Sequence, residues 1–255
     1  MILAIDIGNT NIVIGCIDGK KCLFVERLST VRTKTELEYA FDVKNVLDIY
    51  HIKRTDIEGG IISSVVPQIT TVAKLAVEKI LKKEVLVVGA GIKTGLNIRI
   101  DNPAQLGSDL VVDSVAGIAE YPVPLLIFDM GTANTVCVID KNKNYIGGMI
   151  YPGIGVSLDS LTAHASQLGG ISLEAPEHII GKNTAECMKS GTIYSAAAAI
   201  DGIIDRLQEE LGGQATVIAT GGLAKKIVPY CRRKVILDDN LLLKGLAVIY
   251  RKNRK

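Results

Sequence analysis

One local pattern occurs twice in this chain, and it restricts the fold more than any other feature. Ile2 to Asp18 reads as two β-branched strands around a polar, glycine-containing turn, Asp6-Ile-Gly8-Asn9-Thr10-Asn11. Leu125 to Ile139 repeats that order around Asp129-Met-Gly131-Thr132-Ala133-Asn134. At an offset of 123 residues, Asp6 falls on Asp129, Gly8 on Gly131, Asn11 on Asn134 and Val13 on Val136. A third strand follows each pair, at Cys22–Leu28 and Tyr145–Ile150. Two related α/β halves are therefore expected, with a cleft between them and a boundary near residue 115, giving domains 1–115 and 116–255.

The intervening segments fit this plan. Thr35 can cap a helix to Ile49, with Leu37, Ala40, Phe41 and Leu47 near one face. Gly60–Val66 reads as a buried strand stopped by Pro67. Ile69, Val72, Ala73, Ala76, Val77, Ile80 and Leu81 then recur at helical spacing. Val85–Val88 is a strand closed by Gly89-Ala-Gly91, and the loop to Gly95 misses the dinucleotide fingerprint by one place. A long helix is expected over Thr192–Leu211, a strand and glycine turn over Val217–Gly222, and a terminal helix over Leu241–Tyr250.

Composition narrows the function. Apolar residues are 48% and charged residues 22%, enough for a core and too few charges for a disordered chain. With 29 Lys+Arg against 27 Asp+Glu, no strong field recruits nucleic acid or an anionic membrane. The basic end, Arg251 to Lys255, reads as a solubilising run. Five scattered cysteines lack a CxxC pair, which argues against a disulfide framework or zinc cage and for a reducing cytoplasm. No apolar run approaches the roughly eighteen residues of a membrane span.

The two turns suit phosphate binding. A carboxylate ending a buried strand, as at Asp6, can hold a hydrated divalent ion. Gly8 lacks the Cβ that would keep backbone N–H groups from a phosphate, and Asn9, Thr10 and Asn11 add neutral donors. The second turn offers the same donors, and Thr220-Gly221-Gly222 forms a third glycine turn at a strand end. Each alone is an ordinary polar turn; together they point to a nucleotide. Asp109 begins an apparent helix, and the residues alone favour a capping role. Its functional alternative is a general base that takes the proton of a substrate hydroxyl. No GxxxxGK[ST] run is present, so a P-loop is excluded.

Taken in order, these motifs resemble the type III pantothenate kinases of the actin/hexokinase/acetate-kinase superfamily, over essentially the whole chain. The resemblance rests on Asp6-x-Gly8-Asn9-Thr10, Gly95-Leu-Asn-Ile, Asn102-Pro103, Gly107-x-Asp109 and Asp129-x-Gly131-Thr132-Ala133. It continues through Gly147-Gly148-x-Ile150-x-Pro152-Gly153, Gly181-x-Asn183-Thr184 and Thr220-Gly221-Gly222.

The resemblance implies a duplicated, ribonuclease H-like α/β fold and ATP-dependent phosphorylation of pantothenate to 4′-phosphopantothenate, the entry to coenzyme A synthesis. It implies that Asp6, Ile7, Gly8, Asn9, Thr10, Asn11, Ile12 and Val13 bind ATP phosphates, with Asp6 on Mg²⁺ through water. Thr132 would contact ATP, and Asp129 a monovalent cation, K⁺ or NH₄⁺. Gly107, Ser108, Asp109, Leu110 and Thr184 would meet pantothenate, with Asp109 the proton acceptor. A cytoplasmic homodimer is implied, with no nucleic-acid or membrane partner. Two positions depart from the family pattern: Leu110 stands where Arg is common, and Ile100 where Tyr is common. A non-catalytic accessory relative and a kinase of another small alcohol are the rival readings.

Overall fold

The computed structural model describes residues 1–254. In chain order its elements begin with β1 (Ile2–Ile7), β2 (Asn11–Asp18), β3 (Lys21–Ser29), α1 (Glu36–Ile49), β4 (Gly59–Ser64), α2 (Pro67–Leu81) and β5 (Val85–Val87). They continue with β6 (Asn97–Ile98), α3 (Ser108–Glu120), β7 (Leu125–Met130), β8 (Ala133–Ile139), β9 (Asn144–Pro152) and α4 (Ile154–His164). The last are α5 (Thr184–Leu211), β10 (Thr216–Thr220), α6 (Ala224–Ile227), β11 (Ile236–Leu237) and α7 (Leu241–Asn253).

Two compact units result. One comprises Met1–Leu96, Asp101–Glu120 and Asn240–Lys255; the other comprises Asn97–Ile100 and Tyr121–Asp239. The first unit holds a sheet in the order β3-β2-β1-β4-β5. The second holds β11-β10-β7-β8-β9, with β6 added beyond β9. Read from the opposite edge, the strand order is the same in both. In each, an antiparallel meander of three strands is followed by strands that return parallel to the first. This is the duplicated α/β architecture that the sequence repeat implies.

The repeat breaks at one point. In the first hairpin Ile7 pairs with Ile12 and Asp6 with Val13, leaving residues 8–11 in the turn. In the second, Met130 pairs with Asn134 and Asp129 with Thr135, leaving only 131–133. The second turn is one residue shorter. Asn134 therefore takes the place of Ile12, not of Asn11, and Val136 that of Ile14, not of Val13. Because strand side chains alternate faces, this one-residue step turns Asn134 inward, where it is 3% exposed. It is not a donor on the open side of the turn, as the sequence offset suggests.

Packing follows side-chain chemistry on each sheet. Leu3, Ile5 and Ile7 of β1 meet α1 and α2 through Tyr39, Val43, Val46, Ile69, Ala73 and Val77. Ile2, Ala4 and Ile61 face α3 and α7 through Val112, Val115, Leu243, Leu246 and Ile249. In the second unit, Leu126, Phe128, Val136 and Val138 pack on Ile193, Ala197, Ile200 and Ile204 of α5. At ~25 cal/mol per Å² of apolar area, these buried aliphatic faces are the main favourable contribution to each unit.

Several expectations are corrected. Thr35 and Glu38 form a reciprocal capping box on α1, but Leu37 and Phe41 are each 55% exposed. Ala40 and Leu47 are buried as expected, and Tyr39, Val43 and Val46 complete the buried stripe. α5 starts eight residues before the expected Thr192, because Asn183 Oδ1 caps it by accepting from the Glu186 N–H at 3.0 Å. Those first two turns are largely exposed and carry no apolar period. α4 was absent from the sequence reading. The described residues of the basic end, which exclude Lys255, are not a free run: Lys252 Nζ donates to Thr94 O at 2.9 Å, Asn253 Nδ2 to Lys93 O at 2.9 Å, and Arg254 pairs with Glu58. These contacts attach the end of α7 to the first unit.

Candidate functional site

In the first unit, the expected nucleotide and acceptor residues gather around one end of β1 and β4. The turn after β1 is closed by Gly8 N–H donating to Asn11 O at 3.0 Å. Thr30, just past β3, holds it from outside: its Oγ1 donates to Gly8 O at 2.7 Å and its N–H to Thr10 O at 3.0 Å. Asn9, Thr10 and Asn11 are exposed, whereas Ile7 and Ile12 send their side chains into the core. Arg32 Nη2 donates to Asn9 Oδ1 at 3.3 Å. The sequence reading missed both Thr30 and Arg32, since neither lies in the glycine motif; the only signal was their position at the end of the meander.

Asp6 shares its sheet register with Val13 on one side and Ser63 on the other. One of its carboxylate oxygens is shielded from solvent. Ser63 in turn meets Ser108 at the start of α3, Oγ to Oγ, at 3.0 Å. The residue after Ser108 is Asp109, so the expected metal carboxylate and the expected base approach the same strand ends.

Asp109 lies within the first turn of α3 and is half-buried. Its Oδ1 accepts the Leu110 N–H at 2.9 Å. Burial pushes its carboxyl above the usual aspartate range, and backbone N–H donors only partly oppose that. Asp109 is thus an acidic residue of the first turn rather than the N-cap, and it carries the perturbation that suits a base. Gly107 and Leu110 flank it; Leu110 is half-buried, as is Ile100.

In the second unit, Asp129 and Thr220 are register partners at the ends of parallel β7 and β10. Gly221 follows with a φ of +93°. A Cβ there would overlap Asp129 Oδ1 and lie 2.6 Å from Met130 N. The glycine therefore lets the chain pass close to the Asp129 carboxylate and the Met130 carbonyl, two oxygens of the kind a hard cation takes. Thr132 is exposed in the hairpin turn, its carbonyl accepting the Gly153 N–H at 3.1 Å.

Thr184 lies in the first turn of α5. It lines a cavity of about 730 Å³ between α4 and α5, with Asn134, Tyr151, Ser157 and Met188. Burial raises the Tyr151 phenol, and the neighbouring Asn134 side chain opposes that. Asn134 and Tyr151 escaped the sequence reading as lining residues, because only the shortened hairpin turns Asn134 to this side.

Known proteins point the same way as these arrangements. A family model described as type III pantothenate kinase matches residues 2–206. A type III pantothenate kinase of Exiguobacterium sp. (strain ATCC BAA-1283 / AT1b) is 46% identical over 255 residues, covering 100% of both chains. One from Bacillus cytotoxicus is 44% identical over 253 residues, covering 99% of this chain and 97% of its own. Among solved structures, component A of the (R)-2-hydroxyglutaryl-CoA dehydratase of Acidaminococcus fermentans superposes with a TM-score of 0.56 at 15% identity. That match covers 97% of this chain and 96% of the other, and it supports the actin/hexokinase-like fold alone. With the family model spanning most of its length and full-length relatives above 40% identity, this chain belongs to the type III pantothenate kinase family.

Proposed function

We propose that this protein phosphorylates pantothenate with ATP, giving 4′-phosphopantothenate and ADP in the synthesis of coenzyme A. Family membership over the full chain carries this reading. A half-buried carboxylate at Asp109, close to a phosphate-type turn, supplies the chemistry it needs.

In the reaction the acceptor's hydroxyl oxygen attacks the γ-phosphorus and the bond to the β-phosphate oxygen breaks. Asp109 takes the hydroxyl proton as the new O–P bond forms. The backbone from Asp6 to Val13, with Asn9, Thr10 and Asn11, would orient the phosphates, and Thr132 would contact ATP. Gly107, Leu110 and Thr184 would meet the acceptor, with Ser108 lying in the same segment as Gly107 and Leu110. Asp6 would hold the divalent ion of MgATP through water, and Asp129 would hold K⁺ or NH₄⁺ beside Gly221. When bound, such cations would neutralise phosphate charge that the turns, built mainly from neutral donors, leave uncompensated.

A homodimer is part of this proposal. Ile146, Met149 and Ile150 of β9, Val156 and Leu161 of α4, and Ile179 and Ile180 are all exposed apolar residues of the second unit. A cytoplasmic location accords with the near-neutral charge. It accords also with the described residues, among which no helix is long and apolar enough to cross a membrane.

A coupled ADP-release assay with pantothenate and a panel of small alcohols tests the reading. Turnover with pantothenate well above the other acceptors, and higher in K⁺ than in Na⁺ buffer, is expected. ADP release with another alcohol but none with pantothenate would overturn the substrate, and equal rates in both buffers would overturn the cation.

A further inference from the structure

Ser108 lies in the segment expected to meet the acceptor, yet its hydroxyl is engaged by the end of β4. Its Oγ lies 3.0 Å from Ser64 O, 3.1 Å from Ser64 N and 3.0 Å from Ser63 Oγ. A serine hydroxyl has one hydrogen and two lone pairs. Donation to Ser64 O, with acceptance from Ser64 N–H and Ser63 O–H, uses all three. Ser63 is fully buried.

The strand end that receives Ser108 is itself held. Val66 N–H donates to Ser64 Oγ at 3.2 Å, and Thr70 Oγ1, in the first turns of α2, donates to it at 2.7 Å. On its other side, β4 is in register with β1, placing Ser63 beside Asp6 and Ser64 beside Ile7. Val65 N–H continues that pairing to Ile7 O at 3.0 Å. One chain of hydrogen bonds thus runs from α2 through the end of β4 to the first residue of α3, beside the strand that carries Asp6.

We infer that Ser108 is a positioning residue: by clasping the end of β4, its hydroxyl sets where α3 presents the Asp109 carboxylate relative to the phosphate-binding turn. The inference rests on the reading of Asp109 as the base. A helix anchored only by apolar contacts can slide by fractions of an ångström at little cost. Three hydrogen bonds at its first residue remove that freedom. Proton transfer needs a heavy-atom approach of about 2.6–3.2 Å, so such slack falls directly on the chemical step.

The test compares Ser108→Ala, Ser108→Thr, Ser63→Ala and Asp109→Asn, each measured for kcat, for KM of MgATP and of pantothenate, and for Tm. Ser108→Ala should lower kcat roughly 10–100-fold, with KM for MgATP within about twofold of wild type. Ser63→Ala, which keeps both bonds to Ser64, should lose less, and Ser108→Thr, which keeps the hydroxyl, should recover most of the loss. A Ser108→Ala enzyme with wild-type kcat per folded molecule overturns the inference. So does one whose Tm falls while Ser108→Thr restores Tm but not kcat. Wild-type turnover in Asp109→Asn removes the base reading itself. A dead Asp109→Asn beside a fully active Ser108→Ala removes only the clasp.

Discussion

A Cβ on Gly107 would lie 2.5 Å from Asp109 Oδ1. The carboxylate occupies the space that the glycine leaves empty. Two residues of one short motif are thus related by volume as well as by sequence. The atom that would have to yield is the end of a flexible side chain, so Gly107→Ala should fold, costing less than about 1 kcal/mol in stability by the usual scale of surface substitutions. The displaced carboxylate should lower kcat roughly 10–100-fold. Steady-state kinetics with calorimetry measures both, and unchanged kcat would show that the carboxylate position does not matter.

Burial holds the Asp109 carboxyl above the usual aspartate range. Since the base must be ionised, the acid limb of kcat/KM should fall above the pH of an ordinary aspartate. The sign for stability is the opposite of the usual salt-bridged carboxylate. A raised native pKa favours the protonated fold, so this residue's contribution is full below the unfolded pKa and is lost as pH rises through the native one. Asp109→Asn should therefore raise Tm relative to wild type at neutral pH, with the gap closing in acid. A gap that is constant with pH, or of the other sign, contradicts this account.

Thr30 Oγ1 donates to Gly8 O at 2.7 Å and is the outer brace of the first turn. Thr30→Val keeps the shape and removes the bond. KM for MgATP should rise several-fold, on the order of the 0.5–1.5 kcal/mol that one hydrogen bond contributes, while KM for pantothenate stays put. Isothermal titration with MgATP reads the same loss without turnover. Unchanged MgATP affinity would mean that the turn keeps its shape without this brace.

Gly221 combines a φ of +93° with a Cβ position already filled by Asp129 and Met130. Gly221→Ala meets both penalties and should destabilise the protein by about 1–3 kcal/mol, measurable by denaturant titration. The displaced Asp129 carboxylate should also shift the K⁺ activation curve to higher concentration. A variant with lowered stability but an unmoved curve would separate the glycine's structural role from the cation.

The halves of the fold were legible because β-strand spacing and glycine turns are local signals. Asp6-x-Gly8 and Asp129-x-Gly131 each mark a hairpin, and the third strands follow at short range. Leu37 and Phe41 misled because a helical period tells which residues share a stripe, not which stripe meets the sheet. Packing chose Tyr39 and Val43 instead. The opening turns of α5 were missed because exposed helix needs no apolar repeat once Asn183 caps it.

The sequence by itself determined the duplication, the two glycine hairpins, the Asp109 helix and the family, all of which depend on residue order over short spans. Tertiary structure alone decided that the second hairpin is one residue shorter, which turns Asn134 inward. It also decided that α7 returns to pack on α3 and that Ser108 meets Ser63 and Ser64. Those contacts join residues tens to more than a hundred positions apart. Their partners are selected by strand register and by the burial of whole faces, which no local stretch of chain encodes.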